Sequence, residues 1–481
     1  MPAPSFHTKQ LISASEVDPK LGLQDYSQGQ LEDYSVVCHN EPFESGSTLE
    51  LSVLDIIMPR NWIPFTYAFE NTAKHHNFMN PDNLKASLAK ALAMVPSLAG
   101  RLQCDDGTAG MDLTKPRAPT RILLNNKGAW FASTTMKTSF SDMRSKYFKT
   151  ALIPAQFLFN RFIKAAADPN NGDVPLLAVK AVYFECGSVS LTVYINHFVC
   201  DGRGMYEFVR LWGQLNRGMI PDPLVDSRHI VLGIPKLDSE EIAAAQARFL
   251  KSKPFQPSMT DMQLCRVSIP DPLLKTLKQE INAKLAPEWI SSDDLYFCVL
   301  RRMLHRARKS QAAPYYIRTV DIRSDLGLDN SAFGNFVNGH LEGPFEMDNL
   351  LNLPLEEAVY KMRSELKSFK EERVPKAVRE FVSVHVSLAP DQLNDIIGSR
   401  DIGSTSLASL IPSRIDFQGS PAIYFFGCYY LSGIITINPV VDGHFNGVIG
   451  IEEPFLHDFV NDPEAKHLGF TVLPLQKLLF K

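Results

Sequence analysis

The chain has 481 residues, 45% of them hydrophobic and 21% charged, a balance that excludes a disordered chain and gives room for two large domains or roughly three of about 150 residues. Lys and Arg number 49 against 53 Asp and Glu, a net charge of −4, which offers no broad positive field to a nucleic-acid backbone. Its 7 cysteines, odd in number and never in a CxxC pair, exclude a disulfide scaffold, signal no zinc or dithiol motif, and are read as reduced buried thiols.

Met1 to Leu11 lacks the apolar core of a signal peptide and no Asn-x-Ser/Thr site occurs, so a cytosolic address is expected. Asn83 to Met94 places Leu84, Leu88, Leu92 and Val95 on one stripe before Pro96, a packed helix. Val189, Leu191, Val193 and Ile195 alternate with Ser190, Thr192, Tyr194 and Asn196, the period of a strand with one buried face. Met205, Phe208, Val209, Trp212 and Leu215 then recur at helical spacing up to Gly218. From Gly218 to Ser239 three prolines (Pro221, Pro223, Pro235) interrupt any period, and the domain boundary is expected there.

Beyond it, Glu240 to Lys251, Ser292 to Arg308 and Leu355 to Phe369 read as helices, the second capped by Ser291 or Ser292. Ala422 to Phe426 and Ile434 to Asn438 read as strands, and the whole apolar stretch from Ala422 to Ile437 is shorter than the ~20 residues that span a bilayer. The expected fold class is α/β, with two domains of similar size at 1–217 and 240–481 joined by a crossover linker at 218–239.

The sharpest chemical feature is Ile195-Asn196-His197-Phe198-Val199-Cys200-Asp201-Gly202-Arg203-Gly204, a His and an Asp four positions apart in a Gly-rich turn leaving a strand. An imidazole with an ordinary pKa near 6.5 is suited to taking a proton from a hydroxyl or amine near neutral pH. His197 is thus a candidate general base, Asp201 a group that fixes the loop or the imidazole, and Gly202 and Gly204 positions free to adopt unusual φ. On spacing alone, a pattern that arises often by chance in a chain with 12 histidines, a structural histidine closing a turn is the favoured reading.

The segment resembles the HxxxDG motif of the BAHD acyltransferases within the CoA-dependent acyltransferase superfamily. Leu51-Ser52-Val53-Leu54-Asp55 is similar to the family's "LSxLD", Pro96-Ser97-Leu98-Ala99-Gly100-Arg101-Leu102 to its "PLAGRL", and Ser291-Ser292-Asp293-Asp294 to its "STND" helix. Val320-Asp321-Ile322-Arg323-Ser324 with Phe333-Gly334-Asn335 resembles "VDxRxR…FGN". These landmarks fall in the family's order along nearly the whole chain. Asp416-Phe417-Gln418-Gly419-Ser420 stands where plant members carry DFGWG, and Thr405-Ser406-Leu407 where they often carry "TSW". The loss of both Trp residues makes the chain resemble fungal members such as the trichothecene acetyltransferases more than plant phenolic acyltransferases.

The resemblance implies two chloramphenicol-acetyltransferase-like domains, each a mixed sheet with flanking helices, with a tunnel between them. It implies acyl-CoA, with acetyl-CoA the modal donor, as co-substrate, no permanently bound cofactor, and a small-molecule alcohol or amine as acceptor. His197 would be the general base, Thr405 a hydroxyl donor to the oxyanion, Asp201 a partner of Arg323 in a buried ion pair, Asp416 a structural residue, and Ser291 and Ser292 contacts to CoA. Thr405 reads equally as a turn or capping hydroxyl, and the two serines are helix caps first. A metal-free cytosolic monomer with no nucleic-acid or membrane partner completes the expectation.

The alternatives are an amide-forming N-acyltransferase, a condensation-type enzyme, and an idle binding protein on the same scaffold. Condensation domains usually carry a second His before the catalytic one, where this chain has Asn196. His75-His76 and Cys104-Asp105-Asp106 lack spaced partner ligands, Asp442-Gly443-His444 is foremost a turn, and Lys251 to Lys253 and Lys370 to Lys376 read as charged surface on which a basic rim for CoA phosphates has no nameable position.

Overall fold

The computed structural model describes residues 30–42, 44, 46–56, 58, 62–104, 120–137, 139–145, 174–234, 237–250, 262–309, 316–342, 347–371, 378–379, 383, 402–427 and 433–478. The chain divides into two units. The first comprises Met1–Leu232 with two later segments, Leu328–Phe336 and Ile411–Gly427; the second comprises Gly233–Gly327, Val337–Leu410 and Cys428–Lys481. A single cut at 218–239 leaves those two later segments on the wrong side of the first unit's contacts, for a reason set by strand pairing.

The first unit is built on a six-stranded mixed sheet. In chain order its strands are β1 (Gln30–Val37), β2 (Trp62–Phe69), β3 (Ala129–Met136), β4 (Leu177–Phe184) and β5 (Val189–Asn196), and the strand Tyr424–Gly427 completes the edge beside β2. β3 and β4 run parallel, and the other pairs are antiparallel. Helix α1 (Pro81–Met94) begins with Asn80 accepting from Asp82 N and buries Leu84, Leu88 and Leu92, the stripe read from the sequence. It packs on α2 (Gly202–Asn216), whose Trp212 is fully buried and donates to Ser87 Oγ at 3.0 Å. The ring of Phe417 meets Trp212 at 5.0 Å and Phe69 at 5.5 Å, so a residue from the other end of the chain fills the space between helix and sheet.

One expectation is corrected on β5. Its alternating pattern predicts one wet face, yet all eight residues are buried, including Ser190, Thr192, Tyr194 and Asn196. Periodicity reports which side is apolar, not whether the other side is covered.

The second unit holds a seven-stranded mixed sheet with β6 (Met262–Pro270), β7 (Tyr316–Asp321), β8 (Val337–Glu342), β9 (Ile402–Ser406), β10 (Ile434–Val441), β11 (His444–Glu452) and β12 (Thr471–Leu478), in the order β8-β7-β9-β10-β11-β6-β12. Helices α3 (Asp271–Leu285), α4 (Ser292–Arg308) and α5 (Leu355–Glu371) join its core, in which Leu295, Val299, Met303, Val359 and Met362 pack against Ile435, Ile449 and Ile451. Both units are therefore α/β, as the sequence predicts. Among the described residues no helix is long and apolar enough to cross a membrane.

Candidate active site

β5 delivers its last residues into a tight turn. Asn196 Oδ1 accepts from Phe198 N at 3.0 Å and Asn196 O from Val199 N at 2.9 Å, which turns the chain at once after the strand. Asp201 is the N-cap of α2, where its Oδ1 accepts from Gly204 N at 2.9 Å. Its Oδ2 accepts from Phe336 N at 2.8 Å, and its own N–H donates to Gly334 O at 3.2 Å. Asp201 thus clamps the start of α2 to the segment 334–336.

Neither Gly202 nor Gly204 takes the positive φ foreseen for them, because both already lie in the first turn of α2. Gly204 is required for room instead: a Cβ there would sit 2.9 Å from Cys200 Cβ. The neighbouring Gly334, at φ +144, is the position where the backbone needs a glycine.

Behind the loop lies a polar network that is buried except at Asp226, which is half-buried. Asn335 Nδ2 donates to His197 O at 2.7 Å and to Asp55 Oδ1 at 2.8 Å. Asp55 Oδ2 in turn accepts from Ser52 N at 2.7 Å and from Arg228 Nε at 2.9 Å. Arg228 also donates to Asp226 and to the main-chain oxygen of Val199. Three sequence landmarks, 51–55, 197–201 and 333–335, therefore meet at one point of the first unit. Such a network is stable only because each charge has partners, since an isolated buried ion is too costly to keep.

His197 is 6% exposed. Burial lowers its imidazole pKa below the usual 6.5, and the Asp201 carboxylate, which favours the charged ring, only partly offsets this. At neutral pH the ring is uncharged, the form that can accept a proton.

Asp416 sits at the other end of α2. Its Oδ2 accepts from Arg217 Nη1 at 2.5 Å, and its main-chain oxygen packs so closely on Gly213 that a Cβ there would lie 2.6 Å away. A helix rising about 1.5 Å per residue puts Gly213 about 18 Å and Arg217 about 24 Å from the Asp201 cap. Gln418 and Gly419, at φ 55 and 81, form the turn that brings Phe417 into the core.

The remaining sequence-read residues belong to the second unit. Ser291 is the N-cap of α4 and forms a capping box, its Oγ accepting from Asp294 N at 3.1 Å while Asp294 Oδ2 accepts from Ser291 N at 2.8 Å. Ser292 is the first residue of that helix. Asp294 is paired with Arg318 at 2.5 Å, and this holds its carboxyl below the usual range despite burial; burial raises the carboxyl pKa of Asp293, which accepts from Ser406. Thr405, half-buried on β9 and paired in register with Thr436, is the neighbour of Ser406. Arg323 is buried and donates to Asp321 Oδ1 at 3.2 Å. Asp201 lies in the first unit and Arg323 in the second.

His75 and His76 are exposed, and among the described residues no group of three His, Cys, Asp or Glu could hold a metal. Asp442 and Gly443, at φ 50 and 73, form the hairpin turn read from the sequence. Asp105, Asp106, 251–253 and 372–376 lie outside the described residues.

The model of the Transferase family matches residues 31–390, most of the chain. The chain is a BAHD acyltransferase family member. Among curated relatives, BAHD similarity is local: putrescine hydroxycinnamoyltransferase 1 of Oryza sativa subsp. japonica is 30% identical over 174 residues, 36% of this chain and 35% of that protein. The chain spans little more than a third of the length of the first curated relatives it matches. The fold carries further. The structure of F. sporotrichioides TRI101 complexed with coenzyme A and T-2 superposes with a TM-score of 0.69 at 15% identity, covering 89% of this chain and 99% of that one. Vinorine synthase gives 0.63 at 16%, covering 90% and 96%. The two-domain BAHD acyltransferase fold is thereby shown.

Arg228 escaped the sequence reading, because it lies in the proline-broken stretch where no period marks a buried side chain. An Arg two residues before the apolar pair Ile230 and Val231 is the available signal, and it is weak. Asn335 and Asp55 were visible as family landmarks, but their convergence on the His197 loop was not.

Proposed function

We propose that this chain transfers an acyl group, acetyl in the first instance, from CoA to a hydroxyl of a small natural product, with His197 as general base. The observation that carries the reading is His197 itself: an imidazole at a strand end, kept neutral by burial and held through its own main-chain oxygen by Asn335. The ring takes the proton from the acceptor hydroxyl as its oxygen bonds to the thioester carbonyl carbon. Collapse of the tetrahedral adduct breaks the C–S bond, and the imidazolium returns the proton to the departing thiolate, so no covalent enzyme intermediate is needed. Thr405 serves as the hydroxyl donor to the oxyanion. Asp201 pairs with Arg323 in addition to its cap, and Asp416 stays structural. Of the two serines assigned to CoA, Ser291 spends its hydroxyl on the capping box, which leaves Ser292.

TRI101, crystallised with coenzyme A and T-2, supports both the donor and a bulky acceptor. An amine acceptor is the second reading, favoured by the name of the putrescine hydroxycinnamoyltransferase. In either reading the protein works as a monomer in the cytosol, apart from membranes and nucleic acid. The test is incubation with acyl-CoAs and paired alcohols and amines, following free thiol and acylated product. Thiol release that requires an acceptor supports transfer. CoA binding without release under any pairing points to a non-catalytic scaffold.

A further inference from the structure

β9 ends at Ser406, directly after Thr405, and successive side chains leave a strand on opposite faces. Register fixes which face each one takes. Ser404 and Ser406 stand opposite Ile435 and Ile437 of β10, which belong to the core packed against α4, whereas Thr405 stands opposite Thr436. Ser406 is therefore on the side of the sheet that α4 covers, and Thr405 is on the other.

On the covered side, Ser406 Oγ donates to the Asp293 carboxylate and accepts from Ala408 N at 3.3 Å. Asp293 is the second residue of α4, and its neighbour Asp294 pairs with Arg318 of β7 at 2.5 Å. The start of α4 is thus tied to the sheet twice, and the second tie falls on the residue next to Thr405. Ser406 is exposed, so its two hydrogen bonds hold it rather than packing. The dipole at a helix start favours an acid at position 293 but does not call for a hydroxyl opposite it. A β-branched threonine has few χ1 states, so the direction of the Thr405 hydroxyl follows from where the backbone of the strand end is held.

We propose that Asp293 and Ser406 are positioning residues for the oxyanion step, fixing the end of β9 from one face of the sheet so that Thr405 presents its hydroxyl from the other. The proposal rests on the Thr405 role in the acyl-transfer reading above.

The test is steady-state transfer from acetyl-CoA to a matched pair of acceptors, 1-decanol and decylamine, by single and double variants. Ser406→Ala should lower kcat by about tenfold to 10²-fold, the cost of a misplaced group, with KM for acetyl-CoA and the melting point close to wild type. Asp293→Ala should lower kcat likewise, while Ser406→Thr and Asp293→Asn, which keep the donor and the acceptor, should recover most of it. In a Thr405→Val background Ser406→Ala should cost little more, because the hydroxyl it positions is gone. An undiminished kcat in Ser406→Ala beside an impaired Thr405→Val, or losses that multiply in the double variant, overturns the positioning role and leaves Thr405 in place. Full kcat in Thr405→Val overturns the Thr405 reading and the proposal with it. A wild type that acylates neither acceptor strikes acyl transfer itself.

Discussion

Asn335 donates from Nδ2 to the main-chain oxygen of His197 at 2.7 Å, across 138 residues of sequence. The same amide group reaches Asp55, so the position of the catalytic loop is tied to a buried carboxylate. Asn335→Ala should leave both acceptors short of a donor, each worth about 1–3 kcal/mol when buried. The expected outcome is a melting point lowered by several degrees and a kcat reduced by roughly tenfold or more, with KM for the thioester little changed. A kcat at the wild-type level in the folded variant would remove Asn335 from a positioning role.

Asp201 carries a signed prediction in pH. Because the His197 pKa is below 6.5, the acidic limb of kcat/KM should fall below that value: activity is lost as pH drops through the pKa and the ring gains a proton. Asp201→Asn removes the neighbouring charge that favours the imidazolium, so the limb should move to still lower pH. Stability should also drop, since an amide NH2 turned toward Phe336 N cannot accept its hydrogen bond. The same variant bears on the proposed pair with Arg323: an unchanged urea midpoint and rate would contradict it.

Arg228 and Asp55 are both buried and face each other at 2.9 Å. Arg228→Met should cost about 3–5 kcal/mol, the range for stranding one partner of a buried pair. Arg228→Lys should not rescue it, because one ammonium cannot serve the Asp55 and Asp226 carboxylates and the Val199 oxygen in the fork geometry of a guanidinium. Urea midpoints of the three proteins decide this.

How far the sequence reached is clear from particular elements. α4 begins at Ser292 behind a Ser291 cap because the capping box is a local device, written in four consecutive residues. β5 ends where its alternation ends. What could not be read is what depends on distant partners: the strand Tyr424–Gly427 pairs with β2, and Asn335 returns to the His197 loop, so segments beyond the linker complete the first unit. Local periodicity contains no term for such pairing. The covered polar face of β5 was hidden for the same reason, and Arg228 because an irregular stretch gives a buried charge no pattern to stand out from.

In the second unit, cap and catalysis separate. Ser291→Ala should destabilise the protein by about 1 kcal/mol, the usual worth of an N-cap, with KM for acyl-CoA unchanged. Thr405→Val should instead keep stability and lower kcat by roughly 10²–10³, the effect of removing an oxyanion donor. Thermal melts and steady-state kinetics on the two variants exchange outcomes if the roles are reversed, and a Thr405→Val enzyme with full kcat would return that hydroxyl to a turn.

The most direct measurement is turnover by His197→Ala, read as free CoA thiol and acylated alcohol from acetyl-CoA under conditions where wild type is active. The fold should persist, since Asn335 Nδ2 still holds residue 197 through its main-chain oxygen, and transfer should fall by about 10²–10⁴ at the pH optimum, the contribution of a positioned base. A folded His197→Ala protein that acylates the alcohol at the wild-type rate would contradict the account.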